Sequence, residues 1–230
     1  MGLYRLADLN IEIKNKYEYT TKFLKGYETS VDIDFSVVVS DEELERAQMN
    51  EPDYPIGYLE SLEIYRKICY RLIDYDGILF HASCVVKEGE AYLFSATSGT
   101  GKSTHTRLWL EAYNDAYIIN DDKPLLRFVD DVLYVYGTPW SGKDYIHRNA
   151  KCKVKGICKL TRNSTNYIEK LPEQEIVKLF LNQTIWFSEE NKMDKLLSII
   201  DHISKSISFY IMGCNISKEA AIMAYEYMRK

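Results

Sequence analysis

Three features are missing from this 230-residue sequence, and each absence excludes a class of protein. The five cysteines form no C-x-x-C pair, and no histidine stands near Cys152 and Cys158, so a zinc site is not expected. No apolar run approaches the roughly 20 residues of a membrane span. The initial stretch GLYRLADLNIEIK has no apolar core of signal-peptide length. We therefore expect a cytoplasmic protein that keeps its thiols reduced and has no membrane partner.

Basic residues are not in excess. Lysine and arginine number 29 against 34 aspartates and glutamates, and the net charge of −5 argues against a nucleic-acid partner. The hydrophobic share of 46% and the charged share of 27% are ordinary for a globular protein. The length suits one large domain, or one domain with a small appendage, and it allows a substantial core.

One segment, AYLFSATSGTGKSTHTRLWLEAY at 91–113, has the layout of a phosphate-binding P-loop. A short apolar strand at 91–94 leads into a turn and then into a helix that begins at Lys102. Glycines in the turn let backbone N–H groups converge on one point, and the helix adds the positive end of its dipole. Lys102 would neutralise phosphate charge, and the Ser103 hydroxyl would bind Mg²⁺. The predicted phosphate contacts are Ser98, Gly99, Thr100, Gly101, Lys102, Ser103 and Thr104.

The motif is incomplete at one position. The pattern G-x-x-x-x-G-K-[ST] has glycine where this chain has Ala96. Alanine fits there if its φ is negative, since the two glycines nearest the phosphates are kept. An ordinary strand–turn–helix connection that contains Gly-Lys-Ser is the alternative.

The rest of the chain predicts an α/β fold. Residues 1–57 form a small β-rich N-terminal subdomain, with a strand at 31–39 and a short helix that Ser40 caps. Residues 58–230 form the main domain. It begins with an amphipathic helix at 59–74, which we expect to pack on the later sheet, and continues with a strand at 78–86 that turns back through 87–90 into the P-loop strand.

Three further features are expected to converge on the P-loop. Asp121 and Asp122 end an apolar strand, at the edge where open α/β sheets bind ligands, and two adjacent carboxylates there can divide the roles of metal ligand and base. A solvated acidic turn is the alternative. His81 would hydrogen-bond an aspartate, or else be a satisfied core histidine. The 137–150 loop, with Ser141, Lys143 and Arg148, would stabilise charge on a transferred phosphoryl group, or else be a solvated surface loop.

The strings HASCVV, SATSGTGKSTHTRLW, NDDKP, YGTPWSGK and GCN-x₅-AA, spread over roughly residues 58–230, resemble the HPr kinase/phosphorylase family and in particular its stand-alone kinase branch. The resemblance implies a P-loop-containing mixed sheet, a core shared with phosphoenolpyruvate carboxykinase, and transfer of phosphate from Mg-ATP to a hydroxyl, often serine. By position, Asp121 would be the catalytic base, His81 its partner and Asp122 a metal ligand beside Ser103. The two aspartates could exchange these roles, and homo-oligomers occur among such proteins.

Several positions depart from the bifunctional enzymes. Besides Ala96, Thr104 stands where their loop usually continues with glutamate, and the 137–150 segment is not their C-terminal signature. These departures argue against HPr as the acceptor and against a phosphorylase activity. We therefore expect an ATP- and Mg²⁺-dependent kinase acting on a hydroxyl of a peptide, protein or small molecule. The rivals are a nucleotide-binding accessory protein without turnover and a carboxykinase-type enzyme that phosphorylates a small acid.

Overall fold

The computed structural model describes residues 1–230, which divide into two compact units, 1–74 and 75–230. This boundary differs from the expected one at residue 57, because the structure assigns the long helix after that point to the first unit. A turn of 3-10 helix, Ile73–Tyr75, carries the chain from one unit to the next. No helix is long and apolar enough to cross a membrane.

The first unit is a three-stranded sheet with three helices. Its elements are β1 (Gly2–Leu6), β2 (Leu9–Lys14), α1 (Glu18–Phe23), β3 (Phe35–Val38), α2 (Asp41–Asn50) and α3 (Ile56–Leu72). Strands β1 and β2 form an antiparallel hairpin, and β3 pairs parallel to β2. The predicted strand at 31–39 is therefore shorter than expected, because its pairing with β2 covers only Phe35–Val38. Ser40 caps α2 through a capping box with Glu43, as predicted.

A buried carboxylate ties α3 to the first unit. Glu60 is 1% exposed and accepts hydrogen bonds from the backbone N–H groups of Lys16 and Tyr17 and from the Thr20 hydroxyl. The two N–H groups immediately precede α1 and Thr20 lies in its first turn, so Glu60 holds the start of α1 against α3. The amphipathic pattern of α3 predicts a helix correctly, but it carries no information about which unit the apolar face covers.

The second unit is built on a nine-stranded mixed sheet. Its strands are β4 (Gly77–Leu79), β5 (Ser83–Lys87), β6 (Glu90–Ser95), β7 (Tyr117–Asn120), β8 (Leu125–Val129), β9 (Val132–Tyr136), β10 (Lys151–Arg162), β11 (Tyr167–Lys170) and β12 (Ser208–Cys214). The order is β4-β8-β9-β10-β6-β5-β7, with β12 pairing β10 and β11. Its helices are α4 (Lys102–Ala112), α5 (Glu173–Leu181), α6 (Glu190–Ser206) and α7 (Lys218–Met228). A mixed α/β fold is therefore confirmed.

The predicted strand at 78–86 is wrong in one respect: it is two strands separated by Phe80–Ala82. Strand β4 pairs with β8 at one edge of the sheet, whereas β5 lies between β6 and β7. The chain crosses between these positions with the N–H groups of Phe80 and Ala82 donating to the carbonyls of Pro124 and Asp122. His81 therefore lies in a connection and not on a strand.

An apolar and aromatic cluster fixes α4 and α7 against the sheet. Trp109 of α4 is fully buried, packs on Tyr92 and Phe94 of β6, and contacts Tyr225 of α7. Burial of this many aromatic side chains contributes several kcal/mol to folding, at about 2 kcal/mol for each large side chain. The packing of Trp109 therefore anchors α4, the helix that begins at Lys102, against β6.

Candidate functional site

Strand directions bring the predicted site residues to one edge of the sheet. Strand β10 runs parallel to β6 and β12, and β5 runs antiparallel to both β6 and β7. Strands β6, β7, β10 and β12 therefore all point the same way, and their carboxyl ends share an edge. The 96–101 loop follows β6, Asp121 and Asp122 follow β7, and His81 precedes β5, so all lie at this edge, where open α/β sheets bind ligands.

The 96–101 loop has the backbone geometry that its glycines allow. Gly99 and Gly101 have φ angles of 77° and 118°, in the left-handed region that glycine enters without strain. Gly101 caps α4, and the first hydrogen bond of the helix runs from His105 N to Gly101 O at 2.9 Å. The N–H groups of the residues before His105 are thus available to an anion. Ala96 is not among the residues with positive φ, so the condition for alanine at that position is met.

Lys102 is buried at the first turn of α4, with 9% of its surface exposed. Burial lowers the pKa of its ammonium, and the negative charge of Asp122 opposes that shift. Its Nζ donates to the carbonyl of Ala96, in its own loop, at 3.4 Å. A buried cation with one long hydrogen bond and a carboxylate in electrostatic range is well placed for phosphate, which would satisfy its charge.

Arg162 is a loop contact that the sequence analysis missed. It ends β10, and its guanidinium donates to the carbonyls of Gly99 and Thr100. The loop is thereby fixed from the neighbouring strand, with its carbonyls directed at arginine and not at a ligand. No local pattern around Arg162 indicates this role, because the contact depends on the parallel pairing of β10 with β6.

His81 and Asp122 form a hydrogen-bonded pair, with Nε2 of the imidazole 2.7 Å from Oδ1 of the carboxylate. Burial alone would raise the pKa of Asp122, but the hydrogen bond from His81 and the charge of Lys123 outweigh it and lower that pKa to about 2. Asp122 is therefore ionised near neutral pH. The predicted pairing of His81 with Asp121 is corrected by this geometry, because the 80–82 connection bonds to the backbone of Asp122.

Asp121 is in a different environment from its neighbour. It is 2% exposed, and its Oδ1 accepts a 2.6 Å hydrogen bond from Gly142 N, in the 137–150 loop. Burial raises the pKa of Asp121, the Gly142 N–H group lowers it, and the charge of Asp122 adds to the increase. The two adjacent carboxylates thus differ in exposure and in the direction of their pKa shifts, as is typical of carboxylates that divide two roles.

Asn120 organises the strand end and was not predicted to have a role. Its fully buried side-chain amide donates to the carbonyls of Thr138 and Trp140, and its Oδ1 accepts from the N–H groups of Asp122 and Lys123. One side chain therefore joins the strand end to the 137–150 loop. The Asn-Asp-Asp string contained this signal, since asparagine commonly bonds the backbone two residues on.

The cationic residues of the 137–150 loop are not brought to the aspartates. The Arg148 guanidinium stacks on Tyr117, 4.7 Å from the ring centroid, at the opposite end of β7. Lys143 is exposed, and the neighbouring Asp144 pairs with Arg107 of α4. Ser141 makes only a long hydrogen bond to the carbonyl of Pro139, at 3.5 Å. The loop contacts Asp121 through the Gly142 N–H group and the Ile146 carbonyl, and not through these side chains.

A magnesium ion would depend on ligands besides protein side chains. No group of three or more histidine, cysteine or acidic side chains is arranged to hold a metal. Ser103 at the start of α4 and the ionised Asp122 are two oxygen donors at this edge. This small set fits Mg²⁺, which is usually held by one or two protein groups together with phosphates and water.

Comparisons with known proteins show only a distant structural similarity. No family model matches the chain, and no curated protein matches it. Among solved structures, the HPr(Ser) kinase/phosphatase from Coxiella burnetii is similar at a TM-score of 0.39 and 11% identity, over 66% of this chain and 88% of that one. The similarity is distant, so the functional argument depends on the geometry of this chain.

Proposed function

We propose that this chain is a Mg-ATP-dependent kinase, of the HPr-kinase-like type, that transfers the γ-phosphate of ATP to a hydroxyl group. The observation that carries the proposal is the convergence of Lys102 with the His81–Asp122 pair at one sheet edge, where Asp122 influences the pKa of Lys102. A binding protein needs the lysine and the helix start, but it does not need a carboxylate–imidazole pair beside them.

The loop and α4 would bind the phosphates of ATP. The N–H groups at the start of α4 donate to phosphate oxygens, and Lys102 supplies a full positive charge. Arg162 keeps the loop in shape from outside the phosphate site. When bound, Mg²⁺ would neutralise charge on the phosphates, with Ser103 and Asp122 as its protein ligands.

The reaction forms one bond and breaks one. The acceptor oxygen bonds to the γ-phosphorus, the bond from that phosphorus to the β,γ-bridging oxygen breaks, and ADP leaves with the electron pair. The hydroxyl proton passes to the His81–Asp122 pair. Because Asp122 is ionised and contacts Nε2, it holds the imidazole with its proton on that nitrogen, which leaves Nδ1 as the acceptor.

We assign Asp121 a positioning role in place of the predicted role as base. Its carboxylate is buried and accepts the Gly142 N–H group, so it orders the 137–150 loop around the strand end. The more exposed Asp122, whose side chain is 23% exposed, is the carboxylate that faces the reacting groups.

The test is phosphate transfer from γ-labelled ATP with Mg²⁺ to water, free serine, serine-containing peptides, glycerate and glycerol 3-phosphate. Wild type should release ADP and label at least one acceptor, and Asp122→Asn should bind ATP without doing so. Tight ATP binding with no ADP released in any mixture would contradict the kinase proposal and favour the accessory protein without turnover.

A further inference from the structure

A cavity of about 550 Å³ opens beside the 96–101 loop in the second unit. Ala96, Thr97 and Ser98 of this loop line it together with His81. Residues of β10 and of the end of α5 complete the lining, with Lys159 and Lys178 among them. Pockets for small molecules commonly measure about 300–1,000 Å³, so the volume suits a compact ligand.

The charge of this cavity is opposite to that of the whole chain. Its lining contains two lysines and no acidic residue, although the chain carries a net charge of −5. Outside the lining, Glu175 reaches both lysines, with its Oε2 3.4 Å from Lys159 Nζ and its Oε1 3.9 Å from Lys178 Nζ. The two ammonium groups are therefore close enough to share one carboxylate, and both of their distances to Glu175 are long. An anionic group of similar size in the cavity would bind in competition with Glu175.

Polar groups beside His81 suit a hydroxyl. The backbone N–H group of His81 donates to the carbonyl of Gln183 at 2.8 Å, which fixes the end of α5 beside the histidine. Gln183 also lines the cavity, and its side-chain Oε1 is buried without a hydrogen-bond partner in the protein. Such an acceptor is costly to leave unsatisfied, and a second ligand hydroxyl, beside the one that reacts, would satisfy it.

We propose that this cavity binds the phosphate acceptor, and that the acceptor is a small anionic alcohol: its hydroxyl lies toward His81, and its carboxylate or phosphate lies between Lys159 and Lys178. The inference deepens the proposed kinase function and rests on it. Lys159 and Lys178 are specificity residues that select an acceptor with a negative charge. Lys102 and the 96–101 loop bind ATP on the other side of the reacting oxygen.

The experiment uses three small polyols that differ chiefly in the anionic group that they carry. Glycerate offers a hydroxyl with a carboxylate, glycerol 3-phosphate a hydroxyl with a phosphate, and glycerol a hydroxyl alone. Binding to the full chain is followed by NMR titration without nucleotide, so that it does not depend on catalysis. At least one of the two anions should bind about tenfold or more tightly than glycerol, as expected for a hydrogen bond to a charged group. The better one identifies the anion.

Three variants locate the site. Lys159→Met should weaken binding of that anion about tenfold, and Glu175→Gln should strengthen it by removing the competing carboxylate. Lys155→Met is the matched control: Lys155 also lies on β10 and pairs with a glutamate, Glu90, but it does not line the cavity. This control should bind the anion as wild type does.

The inference is overturned if neither anion binds more tightly than glycerol, or if Lys155→Met weakens binding as much as Lys159→Met. It is also overturned if Lys159→Met weakens binding of Mg-ATP in place of the anion, because the cavity would then belong to the nucleotide. Lysine-dependent anion binding in a protein that never releases ADP would support the anion site and contradict the kinase function, so the two failures are distinguishable.

Discussion

His81 Nε2 lies 2.7 Å from Asp122 Oδ1, and this pair stands at the end of the sheet where the strand before Lys102 also ends. The carboxylate fixes the orientation and the tautomer of the imidazole, and the imidazole in return helps to keep the pKa of Asp122 at about 2. The pair combines an ionised oxygen with a nitrogen base, which neither residue supplies alone.

Replacing either member of this pair should reduce turnover far more than it weakens nucleotide binding. Loss of a positioned proton acceptor costs about 10²–10⁴-fold in kcat, so Asp122→Asn and His81→Gln should fall in that range when ADP release is measured. Asp121→Asn is the comparison and should lose less. A larger loss in Asp121→Asn than in Asp122→Asn would return the role of base to Asp121.

Gly142 should not tolerate a side chain. A β-carbon there would lie 2.9 Å from Asp121 Oδ2 and 3.2 Å from its Cγ, and Asp121 is too buried to move away. Gly142→Ala should therefore lower the free energy of unfolding by about 1–3 kcal/mol, measured by urea denaturation. Ser141→Ala is the control, since its hydroxyl makes only a 3.5 Å contact, and it should change stability by less than about 0.5 kcal/mol. Equal stability of the two variants would contradict this account of the loop.

Arg162 should contribute to ATP affinity without touching ATP. Arg162→Met removes the two hydrogen bonds to the carbonyls of Gly99 and Thr100. Part of the free energy of ATP binding is then used to order the loop, so the affinity for ATP falls. We expect the Kd for Mg-ATP to rise about tenfold, the equivalent of about 1.4 kcal/mol. Arg162→Lys should rescue little, because one ammonium does not reproduce the planar fork of donors. Full rescue by lysine would show that the charge matters and the geometry does not.

The sequence predicts the parts of the site that depend on local order. The strand, glycine turn and helix of residues 90–112 follow one another along the chain, and Asp121 and Asp122 end a short apolar strand, so both features are confirmed as structural elements. Gly101 indicates a backbone position with positive φ, because glycine adopts the left-handed conformation more readily than any other residue.

The parts that the sequence does not predict depend on pairing between distant segments. Lys159 and Arg162 lie beside the loop only because β10 pairs with β6. Lys178 lines the same cavity only because α5 packs there. Similarly, the chain from 77 to 87 has a continuous strand-like composition, but its two halves pair with different parts of the sheet. Composition does not encode that crossing, so the sequence places His81 on a strand and does not identify which aspartate it contacts.

Stability should fall on mild acidification because of His105. This imidazole is 3% exposed, accepts a hydrogen bond from Trp109 Nε1, and packs on Phe94. Burial lowers its pKa from 6.5 to about 4. As pH falls from 6.5 to 4, the unfolded chain therefore takes up a proton that the folded chain does not, and folding loses up to about 3 kcal/mol.

Urea unfolding at several pH values between 7 and 4 measures this loss. Other groups contribute to the pH dependence of wild type, so the informative quantity is its difference from His105→Gln, which keeps a polar side chain of similar size. That variant should show a shallower fall in stability over this range. Identical pH dependence in the two proteins would show that His105 titrates alike in the folded and unfolded states.

The central claim is that the 96–101 loop and Lys102 bind the phosphates of ATP, and calorimetric titration with Mg-ATP tests it most directly. Wild type should bind with a micromolar Kd, Lys102→Ala should lose at least about 100-fold in affinity, and Lys205→Ala, which removes an exposed lysine paired within α6, should bind as wild type does. Absence of binding by wild type, or equal binding by Lys102→Ala, would contradict the phosphate site and the kinase proposal built on it.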